Sequence, residues 1–110
     1  MNKKILTMLA ALIFISSCAK RPDAISPTTI PVSAYQAFSC KELDRELNRE
    51  RAELNDLSAA QNQAANADAV GVFLIGIPAG SVSGGDKEGK ISVTKGKILS
   101  IESVQLSKKC

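Results

Sequence analysis

The stretch from Ser39 to Leu57 limits what this chain can fold into more than any other. Ser39-Cys40-Lys41-Glu42 has the form of a capping box. The serine hydroxyl can accept a free N–H of the first helical turn, and the glutamate can reach back to the serine's own N–H. Phe38 before it and Leu43 after it can close as a hydrophobic staple. Leu43, Leu47, Leu54 and Leu57 then fall on one face of a helix, interrupted by Glu50. The other positions are mostly charged and include Arg49 and Glu53, a pair in the weaker of the two orientations. Past Leu57 the helix becomes alanine-rich, with Ala59, Ala60, Ala64, Ala65 and Ala67, so a second element can approach closely. The pattern predicts that the helix fades near Asn66–Asp68.

A stripe of this kind must be covered. The chain has 110 residues, no Trp and 4% aromatics, which supports one domain with a thin core. A core so thin calls for a staple. Val70–Val82 follows the helix and is apolar and punctuated by Gly71, Gly76 and Pro78. It is too short to cross a bilayer, which needs ~20 residues. Either it folds back as core, or it is an exposed tip that meets a membrane or a partner through Val72, Phe73, Leu74, Ile75 and Ile77. Ala79–Asp86 reads as loop. Lys87–Lys109 has two readings. Its β-branched content and Lys95-Gly96 suggest a β-hairpin. Ile91, Thr94, Ile98, Ile101 and Gln105 instead make a helical stripe, with Lys108 and Lys109 suited to a helix C-terminus.

The N-terminus reads as an address. Met1–Lys4 is short and basic, Ile5–Ile15 is an apolar run of about 11 residues, and Ser16 and Ser17 are small. Ile15-Ser16-Ser17-Cys18 resembles the lipobox of bacterial lipoproteins. The resemblance implies a signal peptide over 1–17, cleavage before Cys18, and acylation of that cysteine. Long acyl chains hold a protein on a membrane because each buried CH₂ contributes ~0.8 kcal/mol. In Gram-negative lipoproteins an Asp after the cysteine commonly retains the protein at the inner membrane. Ala19 stands there in this chain, so the resemblance implies the periplasmic face of the outer membrane. With Cys18 taken by lipid, Cys40 and Cys110 remain to pair in an oxidising compartment. That bridge fits an all-α fold: an antiparallel helical hairpin with the apolar Gly/Pro loop at its far end. The alternative is a helix plus a β-hairpin. Residues 18–38 carry Pro22, Pro27 and Pro31 and are predicted to be an extended, poorly ordered tether. At ~3.1 Å per residue, such a tether would reach roughly 50 Å. The hairpin domain occupies 39–110.

The part after Cys18 is also similar to a group of small, largely uncharacterised proteobacterial lipoproteins. The matching features are Tyr35, Ser39-Cys40, Glu42-Leu43, Gln61, Asp68, the apolar loop, Lys95-Gly96 and Lys109-Cys110. They imply a helix, an apolar loop and a second helix, and no catalytic residues. The Ser-rich, β-branched second leg departs from their Ala/Leu-rich pattern.

The expected function is that of a membrane-anchored, non-catalytic structural or interaction protein of the cell envelope, such as an accessory to an envelope assembly. The alternative is a membrane-perturbing, lysis-type lipoprotein acting through Val70–Pro78. No enzyme activity, cofactor, metal or small-molecule substrate is expected. The chain has no His, which removes the usual acid–base residue and the commonest zinc ligand. Gly84-Gly85-Asp86-Lys87 lacks the order of a phosphate-binding loop. Glu42, Asp44, Glu46, Glu50 and Glu53 read as a solvated charged face. The formal charge of +3 includes Lys3 and Lys4 of the address, so it gives no support for nucleic-acid binding.

Overall fold

The computed structural model describes residues 18–110. The expected signal peptide, Met1–Ser17, lies outside the described residues. The described chain is all-α. Helix α1 spans Cys40–Ile75, a short turn of helix α2 spans Ala79–Val82, and α3 spans Glu88–Lys108. Two 3₁₀ turns, Pro22–Ala24 and Val32–Ala34, precede them.

The capping box forms. The Glu42 N–H donates to Ser39 Oγ at 3.2 Å, and the Ser39 N–H donates to Glu42 Oε2 at 2.7 Å. Helix α1 does not fade near Asn66–Asp68; it continues to Ile75 and ends on Gly76 in the left-handed conformation, φ 75°. The reason is that the buried seam does not stop at its leucines. Glu50, Gln61, Ala64, Asp68 and Gly71 are buried in register with Leu43, Leu47 and Leu57. Spacings of three and four residues persist along the whole helix, and polar residues occupy some seam positions.

Helix α3 packs antiparallel to α1, which decides against the β-hairpin. Ile91, Thr94, Ile101 and Val104 are buried against the seam, and Cys40 is bridged to Cys110 across a sequence separation of 70. The free N–H groups at the start of α3 are met by side chains. Gln61 Oε1 accepts from the Lys87 N–H at 2.6 Å, and Asp86 Oδ1 accepts from the Glu88 N–H at 3.0 Å. At the other end Lys108 Nζ donates to the Phe38 carbonyl at 2.6 Å.

The core tapers along the hairpin. Next to the disulfide it contains Tyr35, Leu43, Leu47, Ile101 and Val104, with Phe38 edge-on to Tyr35 at a ring separation of 5.5 Å. In the middle it is Ile25, Leu57 and Ile91, and at the far end only Ala19, Ala64 and Ala65. The small residues let α2 lie close. A Cβ on Gly80 would stand 2.4 Å from the Ala64 carbonyl oxygen, and one on Gly71 2.4 Å from that of Ile77.

Residues 19–38 are not the poorly ordered tether that their prolines suggest. They form a third leg laid along the hairpin, extended as proline requires but fastened at many points. Ile25 and Tyr35 are buried. The Thr28 N–H donates to the Ser92 carbonyl at 2.9 Å, and Ser92 Oγ donates to the Ser26 carbonyl at 2.7 Å. Lys95 Nζ donates to the carbonyls of Pro22 and Ile25, and Lys20 pairs with Glu88 at 3.0 Å. This leg also accounts for the serines and glycine of α3: small residues make its bed. A Cβ on Gly96 would stand 1.9 Å from the Thr28 carbonyl oxygen.

Gly96→Ala is therefore expected to lift the leg from α3. Overpacking of this kind costs roughly 1–3 kcal/mol. The gain from alanine's helix propensity, up to about 1 kcal/mol, offsets only part of it. Faster hydrogen exchange at the Thr28 amide, with a lowered Tm, is the expected reading. Unchanged exchange there would mean that the close approach is not a constraint.

Candidate functional site

Beyond Asp68 the molecule turns from packed to apolar and exposed. Phe73 is 87% exposed, Leu74 69% and Ile75 67%. Val70, Val72 and Ile77 are exposed as well. Of the two readings of the apolar run, the exposed one holds for Val70, Val72, Phe73, Leu74, Ile75 and Ile77, while Gly71, Pro78 and Gly80 are buried. The cause is the taper. Alanine and glycine at this end bring the backbones of α1 and α2 together and leave no interior for Phe73 or Leu74. Fully burying one such side chain contributes about 1.5–3 kcal/mol, a contribution this exposed group does not make within the chain itself.

The tip is held by a buried carboxylate. Asp68 Oδ2 accepts from the Ala19 N–H at 2.5 Å and from Ser81 Oγ at 2.5 Å, and Asp68 Oδ1 accepts from the Ser81 N–H at 2.6 Å. Burial pushes this carboxyl up. The Ser81 hydroxyl and the backbone N–H groups of Ala19, Ser81 and Gly80 outweigh burial and hold it below the usual carboxylate value. About two turns lower on the same helix, Gln61 Nε2 donates to the Lys20 carbonyl at 2.8 Å and to Asp86 Oδ1 at 3.0 Å. Asp68 and Gln61 together tie α1 to the N-terminal leg, to α2 and to the start of α3.

Cys18 stands at this same end. It is half-buried, with a free thiol, and is joined directly to the Ala19 that Asp68 holds. Cys40 and Cys110 close the opposite end, with Cα atoms 5.5 Å apart. The principal extents are 62 × 27 × 17 Å, so the two ends are far apart.

Glu50 was expected on a solvated face with the other carboxylates and is instead buried. Its Oε1 is shared by Arg49 at 3.2 Å and Lys97 at 3.5 Å. The open groove beside it, about 550 Å³, is lined by these residues with Glu53 and Lys90. Arg49 and Lys97 are both paired with Glu50 within the protein. Glu42, Asp44 and Glu53 are exposed as expected.

The signal that sequence reading missed is the register of Glu50, Gln61 and Asp68. Each sits on the seam, where a polar residue must find buried partners. Among the described residues no group of His, Cys, Asp and Glu is placed to hold a metal ion, and no helix is long and apolar enough to cross a membrane. No family model, no curated protein and no solved structure matches this chain.

Proposed function

We propose that this protein is a lipid-anchored component of the bacterial cell envelope, on the periplasmic face of the outer membrane, with a structural or interaction role and no catalysis. The observation that carries the reading is the join at Cys18. The residue that the lipobox-like sequence marks for acylation is followed at once by Ala19, whose N–H is locked to Asp68. A lipid at Cys18 would be coupled to the folded body with almost no slack. Ser81 and Lys95 have structural partners: Ser81 donates to Asp68, and Lys95 donates to the carbonyls of Pro22 and Ile25.

The test is the mass of the protein taken from its native membrane, intact and after reduction. The expected mass begins at Cys18, carries a diacylglyceryl group, and gains only the hydrogens of one opened disulfide on reduction. An unmodified Cys18 would overturn the anchor. Crosslinking in the native envelope should then recover one defined protein partner.

The exposure of Phe73, Leu74 and Ile75 favours a second reading, membrane perturbation by the tip. Under it, the purified protein releases dye from loaded vesicles, and F73D with L74D abolishes the release. If the unsubstituted protein releases no dye, perturbation is excluded.

A further inference from the structure

The third leg shows where the anchor leaves the body. Ala19 lies level with Asp68, Lys20 with Gln61, Ile25 with Leu57, and Tyr35 with Leu43 and Leu47. The leg therefore runs from the tip to the disulfide. Followed backwards from Ala19, it leads toward the tip. An acyl group on Cys18 therefore departs from the same end of the body as the exposed apolar residues.

We infer that the apolar tip is seated in the same membrane leaflet that holds the N-terminal anchor, so that the hairpin stands upright with Cys40–Cys110 at its outer end. The inference rests on the reading of Cys18 as the anchor point. The dimensions fit. From Asp68 to Ile75 the helix rises about 10 Å. The hydrocarbon of one leaflet is about 15 Å deep, and interfacial segments sink ~5–10 Å past the headgroups. A cysteine at headgroup level thus places Phe73, Leu74 and Ile75 among acyl chains. The shape of the patch also favours lipid over a protein partner. Phe73, Leu74 and Ile75 are consecutive, so they point around most of the helix circumference rather than along one stripe. A fluid apolar solvent covers such an end on all sides; a docked helix or strand would cover one face. Asp68 tolerates the position because its acceptors are filled from within the protein.

The test uses the full chain, purified from the membrane of a Gram-negative host and reconstituted into phosphatidylethanolamine and phosphatidylglycerol vesicles with brominated acyl chains. The protein has no Trp, so F73W and L106W each introduce a single reporter, one at the tip and one at the disulfide end. Loss of most of the F73W emission, with the L106W emission unchanged, is the expected result. Quenching of both would mean that the hairpin lies flat and would overturn the upright pose. A blue-shifted but unquenched F73W on chains that co-float with the vesicles would assign the tip to a protein, such as a second copy, and would overturn the inference while leaving the anchor in place. Chains that do not co-float would overturn both. With the protein anchored in ordinary vesicles and brominated ones added later, no quenching is expected. Quenching there would place the tip in an opposing bilayer and would also overturn the inference.

Discussion

Replacing Cys40 and Cys110 with serine is expected to remove about 4 kcal/mol of stability, a large share of what a chain of this size possesses. The bridge closes a sequence separation of 70, and loops of that length lose much entropy when cross-linked in the unfolded state. The loss translates to a Tm lower by roughly 15–30 °C for a small domain. The disulfide also sits beside the part of the core that contains the aromatic residues, Tyr35 and Phe38 against Leu43, Leu47, Ile101 and Val104. Without it the ends of α1 and α3 are held by Lys108 on the Phe38 carbonyl and by that cluster. Unfolding should begin there, and exchange at Leu43 and Val104 should accelerate before exchange at Ile91. Thermal melting of the double serine variant, and of the native chain with and without reductant, measures the effect. A loss under about 1 kcal/mol would mean that the N-terminal leg does the stapling instead.

Asp68→Ala is expected to act at the other end, with a cost of about 3 kcal/mol or more. Hydrogen bonds to a charged group contribute about 1.5–3 kcal/mol each, and a buried donor left without a partner costs about 1–3 kcal/mol. The substitution strands the N–H groups of Ala19 and Ser81 and the Ser81 hydroxyl together. The N-terminal leg and α2 should therefore loosen as a unit, seen as joint acceleration of exchange at Ala19 and Ser81. If only one of them responds, Asp68 is not the shared tie. Asp68→Asn keeps the shape but turns an NH₂ toward donors, and should fall between. The pH dependence has a definite sign. The folded carboxyl lies below its ordinary value, so its contribution is complete above the usual carboxylate range and is lost as pH falls through the folded value. Loosening of Ala19 and Ser81 is expected only below about pH 4, and the Asn variant should not show it.

Local rules made several elements legible from residues alone. Ser39 and Glu42 start α1 because a capping box satisfies its own donors, whatever surrounds it. The leucine stripe required a covering element, and the cysteines at the head of α1 and at position 110 favoured a helix over a β-hairpin without excluding the latter. Val70–Ile77 was visible as an apolar run, although its direction was not. Tertiary structure decided the rest. Glu50, Gln61 and Asp68 look like breaks in an apolar pattern until Lys97, Lys20, Asp86, Ala19 and Ser81 arrive from distant parts of the chain to pair with them. The proline-rich stretch lacks any period, so nothing local shows that Ile25 and Tyr35 are buried or that Gly96 and Ser92 make a bed for Thr28. For the same reason the place of Cys18 could not be read from the sequence. A free tether leaves Cys18 anywhere within its reach, whereas the bond from Ala19 to Asp68 puts it at the end of the body that carries the apolar tip. Periodicity reports what one element wants to bury; it carries no record of which distant backbone will be laid against it.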